Sequence, residues 1–202
     1  MPGLAELERE VAGCTRCRLS EGRTHTVFSR GDPQSGLVFI GEGPGAEEDR
    51  LGLPFVGRSG QLLDRLIGEE LGLEPSQVHV INCIKCRPPN NRDPKDDEIT
   101  ACRPYLEAQL EIIRPAVIMT LGNFAARAVL GTTEGVTKLR GRMHHLGDTV
   151  VVPTFHPSYI LRNGGGDQLV AARADFIRAK QALVAAGRYP GQSSPADLSS
   201  RQ

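Results

Sequence analysis

Apolar residues in this chain fall into short continuous runs and into sets at helical spacing, and the alternation of the two lays out a fold. Gly36 to Ile40 is a short apolar run that ends in a glycine loop. Leu62, Leu63, Leu66 and Ile67 follow at helical spacing within Ser59 to Glu70. Val78 to Ile84 reads as a second strand. Asp96 predicts an N-cap for a helix whose inner face carries Ile99, Cys102, Leu106, Leu110 and Ile113. A third strand, Ala116 to Leu121, leads through Gly122 and Asn123 into a helix reaching Leu130, and Thr149 to Phe155 is the fourth. An N-terminal helix over Leu4 to Ala12 sets Leu4, Leu7 and Val11 on one side. Strands and helices alternating with connections of this length imply right-handed βαβ crossovers. The expected fold class is α/β, three layers (α/β/α) around a central, mostly parallel four-stranded sheet.

That architecture says where to look for chemistry, because open parallel sheets bind ligands outside the carboxyl ends of their strands. The predicted ends carry Gly41-Glu42-Gly43-Pro44-Gly45, Asn82, Gly122-Asn123 and His156-Pro157. Glycines such as Gly43 allow a bound ring to approach the backbone closely. The loop matches neither GxGxxG nor the Walker pattern, so no nucleotide cofactor is expected.

Composition narrows the picture. A chain of 202 residues with 39% apolar content supports one well-buried core, expected over residues 1–186. From Gly187 to Gln202 the chain is rich in Gly, Ser, Pro and Gln without periodicity and reads as a disordered tail. No apolar run approaches the roughly 20 residues a bilayer demands, and the first residues lack the order of a secretory signal, so no membrane partner and a cytoplasmic location are expected. Formal net charge is zero, which leaves nucleic-acid affinity to local patches: Lys85, Arg87 and Arg92, then Lys138, Arg140 and Arg142, all in predicted loops.

Five cysteines, an odd number, argue against a disulfide framework. Cys14 and Cys17 form a CxxC pair in a turn, while Cys86 follows a strand and Cys102 rides the next helix. Four such thiolates suit either a structural zinc ion or an iron–sulfur cluster. Cys83 alternates with inward residues of its strand and reads as a buried small hydrophobe.

The segments GEGPGAEED (Gly41 to Asp49), LPFVGRSGQLL (Leu53 to Leu63), INCIKCRPPNNR (Ile81 to Arg92) and HPSYILR (His156 to Arg162) resemble, in order and separation, the signature segments of the family 4 uracil-DNA glycosylases. With the cysteines they span most of residues 1 to 186. The resemblance implies an enzyme that flips uracil out of single- or double-stranded DNA, hydrolyses its N-glycosidic bond and leaves an abasic site. It also favours iron over zinc, with one [4Fe-4S] cluster on Cys14, Cys17, Cys86 and Cys102.

Residue by residue, the resemblance implies that Phe55 stacks on the base, that Asn82 reads its Watson–Crick edge, and that Glu48 crowds the C5 position to refuse thymine. It implies that His156 donates to O2 of the departing uracil and that Glu42 or Asn91 orients the attacking water, Glu42 ranking ahead because only a carboxylate can also stabilise a cationic sugar. Tyr159, Ile160, Leu161 and Arg162 fall where related enzymes push an apolar wedge into the duplex, and Lys138, Arg140 and Arg142 are placed to grip phosphates. A related group traps uracil-DNA covalently through a histidine in a longer basic loop after the second strand. Lys85 to Arg92 holds no histidine, which predicts turnover without a stable adduct. The working unit is expected to be a monomer. Two rivals remain at this point: a redox protein using the same cysteines, and a non-catalytic iron–sulfur DNA-binding or uracil-sensing protein. The first lacks a flavin or nicotinamide site, and the second has no use for Glu42, Asn82, Asn91 and His156 together.

Overall fold

The computed structural model describes residues 3–190 and contains one six-stranded sheet among them, in the order β1-β3-β2-β4-β6-β5. Its elements, in chain order, begin with helix α1 (Leu4–Ala12), strands β1 (Arg30–Gly31) and β2 (Leu37–Gly41), and helices α2 (Ala46–Leu51) and α3 (Arg58–Leu66). Strand β3 (His79–Asn82), helix α4 (Asp96–Ile113), strand β4 (Val117–Leu121) and helices α5 (Gly122–Leu130) and α6 (Val136–Leu139) follow. Strands β5 (His144–Leu146) and β6 (Thr149–Thr154) and helices α7 (Pro157–Arg162) and α8 (Gly166–Ala185) complete the set.

The four predicted strands form the parallel centre, β3-β2-β4-β6. Every residue of β2, β3 and β4 is buried, as continuous apolar runs require of strands covered on both faces. The expected four-stranded sheet is corrected to six, because β1 and β5 pair antiparallel at the two edges. With two and three residues, neither is long enough to show an alternation of its own.

Successive side chains of a strand face opposite ways, and two cores result. Leu37 and Phe39 join Met119 on the face covered by Leu63 and Leu66 of α3 and Phe176 and Leu183 of α8. Val38 and Ile40 join Ile118 and Val151 under Leu106 of α4 and Ala125 and Val129 of α5. Phe39 packs on Phe176 with ring centroids 5.6 Å apart, and truncating either to alanine costs about 3–5 kcal/mol. Helix α1 lies on α4 through Leu7, Val11 and Tyr105.

Local details differ from expectation for identifiable reasons. The predicted helix from Ser59 to Glu70 ends as α3 and widens into a π turn, Ile67–Leu71, whose Glu69 and Glu70 are both gripped by Arg173 of α8. The cap of α4 is Lys95, one residue before Asp96, because the Glu98 carboxylate turns back to accept its N–H at 2.9 Å. The body also runs past Gly187. Arg188 donates to the Gln34 carbonyl at 3.1 Å and the Tyr189 hydroxyl to that of Leu71 at 2.5 Å, so the expected tail does not begin there. Residues 191–202 of that tail lie outside the described residues. No described helix is long and apolar enough to cross a membrane.

Candidate active site

The carboxyl ends of the four parallel strands open into one cavity of about 830 Å³. Glu42 and Gly43 follow β2, Asn82 ends β3, Gly122 and Asn123 follow β4, and His156 follows β6. Glu48, Phe55, Asn91, Arg92, Tyr159 and Arg162 also stand on its wall, joined by Arg58 and Asp93, which the sequence did not single out.

Parallel pairing sets Gly41 of β2 directly beside Asn82 of β3. A side chain at Gly41 would place its Cβ 2.4 Å from Asn82 Oδ1 and 2.5 Å from Phe55 Cζ, so only glycine lets the amide and the ring meet here. Gly43, the predicted glycine, serves another end: its missing Cβ makes room for Ile84, which would otherwise lie 2.6 Å away. Asn82 is 1% exposed, and its Oδ1 has no hydrogen-bond partner. An orphaned buried acceptor costs about 1–3 kcal/mol, which a ligand N–H can relieve. The carbonyl of Asn82 is held from behind by Lys85 Nζ at 2.6 Å, and Lys85 also donates to Gln109 Oε1 at 2.5 Å. Lys85 is therefore buried and does not belong to the basic surface the sequence suggested.

Phe55 has a left-handed backbone, φ 55°, and its ring lies 5.7 Å from that of His156. Gly122 adopts φ 88°, turning the chain straight from β4 into α5, and a Cβ there would meet that of His156 at 3.0 Å. His156 caps α7. Its Nδ1 accepts the Ser158 N–H at 3.1 Å and lies 2.8 Å from the Ser158 hydroxyl, which in turn accepts from Arg162 Nη1 at 3.3 Å. A ring nitrogen that accepts a backbone N–H carries no proton, so in the neutral imidazole the proton sits on Nε2. Burial, with the Arg162 guanidinium nearby, pulls this histidine down to about 4, so it is neutral at physiological pH.

Glu42 is pushed the other way, up to about 7, by burial first and by the Asp93 carboxylate second, with Arg162 opposing both. Asn91 faces the same cavity with its Oδ1 accepting from Arg87 Nε at 2.7 Å. Asn90 and Asn91 both have left-handed backbones. Among the described residues the non-glycine positions with positive φ are Phe55, Asn90, Asn91 and Arg114, and the first three lie on or beside the cavity while Arg114 ends α4.

The predicted DNA-facing residues divide. Lys138, Arg142, Leu161 and Arg162 are exposed. Arg140 is corrected: its Nε donates to Asp175 at 2.9 Å and its Nη2 to the Ala171 carbonyl at 2.6 Å, because the fully buried Asp175 carboxylate of α8 demands a cation. Arg92 likewise pairs with the buried Glu98 through both amine nitrogens. Of the wedge candidates, Tyr159 and Leu161 stand outside while Ile160 is buried in the core. Glu48 turns its carboxylate to the main chain, accepting from Gly45, Val56 and Gly57.

A second, smaller cavity is lined by Cys14, Cys17, Cys86 and Cys102 together with Val11, Lys85 and Tyr105. N–H groups point at three of the sulfurs: Lys85 N to Cys102 at 3.3 Å, Arg23 Nη1 to Cys86 at 3.4 Å, and Arg16 N to Cys14 at 3.5 Å. Among the described residues no three His, Cys, Asp or Glu side chains close around a single metal ion. Thiols lining one cavity, with N–H donors aimed at three of the sulfurs, suit a metal centre held by thiolates. Cys83 stands apart in the sheet core, where burial pushes its thiol up to about 12.

Residues 28–183 match the Uracil DNA glycosylase superfamily. The chain is 43% identical over 183 residues to the type-4 uracil-DNA glycosylase of Thermotoga maritima, covering 90% of this chain and 95% of that one. It is 40% identical over 197 residues to the type-4 uracil-DNA glycosylase of Sulfurisphaera tokodaii, with 94% and 89% covered. For that of Saccharolobus solfataricus the figures are 41% over 191 residues, with 91% and 88% covered.

Proposed function

The chain belongs to the Uracil DNA glycosylase superfamily and within it to the type-4 enzymes, and from that premise we infer that it is a uracil-DNA glycosylase, a hydrolase of the N-glycosyl bond that holds uracil in DNA. The observation that carries the reading is the meeting, in one cavity, of an unpartnered Asn82 amide oxygen and a neutral His156 beside the Phe55 ring.

A base inside a duplex is out of reach, so the nucleotide is flipped into the cavity. Uracil rests on Phe55 and gives its N3–H to Asn82 Oδ1, while the amide nitrogen donates to O4. Cytosine presents the reverse pattern and leaves the buried amide mismatched. As the glycosidic bond lengthens, negative charge gathers on the uracil, and the His156 Nε2–H donates to O2 without having to lose or gain a proton. Ser158 supports this role by keeping Nδ1 an acceptor.

Glu42, rather than Asn91, orients the attacking water. With Oδ1 of Asn91 engaged by Arg87, the amide offers N–H groups, which hold a water but cannot take its proton. Asn91 then serves as a donor to the sugar or a phosphate. Lys138, Arg142, Arg162 and the outward Leu161 form the DNA-facing rim.

Cys14, Cys17, Cys86 and Cys102 hold one [4Fe-4S] cluster, which supplies a structural cross-link between the N-terminal segment and the loop after β3.

An oligonucleotide carrying a single uracil, incubated with the enzyme and then treated with alkali, tests the reading. Strand breaks at the uracil are expected, and their absence in both single- and double-stranded DNA would sink it. The same assay with other deaminated bases sets the breadth of substrate.

A further inference from the structure

We propose that Glu48 is a positioning residue that holds Phe55 in place as the floor for the flipped base, and is not a wall against the methyl group of thymine. The inference rests on the uracil-DNA glycosylase reading and assigns a new task to one residue within it.

The hydrogen bonds of the carboxylate carry the argument. Oε1 accepts from Val56 N at 3.0 Å and Gly57 N at 2.9 Å, and Oε2 accepts from Gly45 N at 3.2 Å. The two N–H groups on Oε1 belong to the peptides that directly follow Phe55. Phe55 itself holds φ 55°, a backbone conformation that a residue with a side chain adopts rarely and keeps only when its surroundings enforce it. Glu48 supplies that enforcement, since no other side chain accepts from Val56 N or Gly57 N among the described hydrogen bonds.

Packing agrees. A Cβ added to Gly45 would lie 2.7 Å from Glu48 Oε2, and one on Gly57 would lie 3.3 Å from Oε1. The carboxylate is thus pressed between two stretches of main chain, stapling the loop after β2 to the loop before α3. A group so placed fixes the height and tilt of the Phe55 ring. Removing it frees the peptides on either side of Val56 to relax, and the floor tilts.

The test measures binding of two oligonucleotides by each variant: one with 2′-fluoro-2′-deoxyuridine, which resists cleavage but can be flipped, and one with a stable abasic analogue, which needs DNA contacts but no floor. Wild-type cleavage of a uracil oligonucleotide is established first, and its failure would discredit the enzyme reading rather than this inference. Glu48→Ala is expected to weaken binding of the fluorinated DNA about tenfold or more, the scale of one base-stacking contact, with abasic binding unchanged and no excision of thymine. Glu48→Gln keeps an amide oxygen for Val56 and Gly57 but sets its amide nitrogen against Gly45 N, and should lose about two- to fivefold on the fluorinated DNA alone. Thymine excision by Glu48→Ala, or wild-type binding of the fluorinated DNA, overturns the proposal. If Glu48→Ala does not fold, Glu48→Gln decides: selective loss supports the proposal, and no loss or equal loss on both DNAs overturns it.

Discussion

The proposed uracil pocket and the cysteine cavity grow from the same short segment, Asn82 to Cys86, and are finished in opposite ways. At the pocket, polar capacity is left open: Asn82 Oδ1 has no partner, burial pushes Glu42 up to about 7, and the backbone is strained at Phe55, Asn90 and Asn91. At the cysteine cavity, donors are already committed, with Lys85, Arg23 and Arg16 aiming N–H groups at sulfur. Cys83 and Ile84 connect the two by donating their N–H groups to the carbonyls of Gly41 and Glu42, which extends the β2–β3 ladder into the catalytic loop. A site that must accept a ligand keeps groups unsatisfied, and something nearby must be closed and stiff enough to hold them so.

The strongest way to break this contrast is to open the closed side. If the four cysteines hold the proposed cluster, its binding is also folding energy, so Cys86→Ala or Cys102→Ala should cost on the order of 5 kcal/mol, and iron content, thermal midpoint and uracil excision should fall together. Retained activity without iron would separate the two regions.

The next break acts on the open side alone. His156→Ala should slow single-turnover cleavage by about 10²–10³-fold, the loss of one preorganised donor, while iron content and melting temperature stay at wild-type levels. Glutamate ionisation gives a gentler probe. Because burial raises Glu42 to about 7, kcat/KM should climb about tenfold per pH unit below pH 7 and level off above it, while His156, neutral above about 4, leaves no mark in that range. Glu42→Gln should lose the slope together with most of the rate. The same shift has a cost for folding: the unfolded chain gives up this proton near its ordinary value of 4.5 and the folded one near 7, so stability falls across that window. Glu42→Gln should therefore melt higher at pH 8, by about 2–4 °C for each kcal/mol regained.

The smallest effect sharpens the border of the pocket. Removing Lys138 and Arg142 together should leave cleavage of bound DNA intact and flatten the slope of log affinity against log salt by about 2. Arg140→Ala should leave that slope unchanged and lower the melting temperature, because it strips one of the two cations, Arg140 and Arg178, that pair with buried Asp175.

Much of this arrangement was readable in the sequence, and the reasons are local. Leu37 to Gly41 and Val117 to Leu121 are buried on both faces, and a strand of that kind announces itself as an unbroken apolar run. Asn82 and His156 could be expected to meet in one cavity because strand ends are where such folds bind ligands, while the roles given to them rest on the family resemblance. The misses depend on distant partners. Arg140 reads as a free cation until Asp175, 35 positions away, folds beneath it. Lys85 reads as surface until Gln109 and the Asn82 carbonyl close around it. Arg188 and Tyr189 read as tail until Gln34 and Leu71 receive them. Ser158 had a signal, a hydroxyl residue two places after His156 at the mouth of a helix, and that pattern can be sought in any such motif.

The pairing of Gly41 with Asn82 also fixes how this protein can vary in length. A strand alternates its side chains, so one residue added or removed between Val78 and Asn82 would send the Asn82 amide, the proposed reader of the base, into the sheet's far layer and bring Ile81 or Cys83 to the pocket in its place. Such a chain would keep its apolar content and could still fold, yet it would be blind to uracil. Insertions and deletions should therefore be rejected in this four-residue strand and tolerated at the exposed Gly147 turn between β5 and β6, where no pocket residue depends on the count.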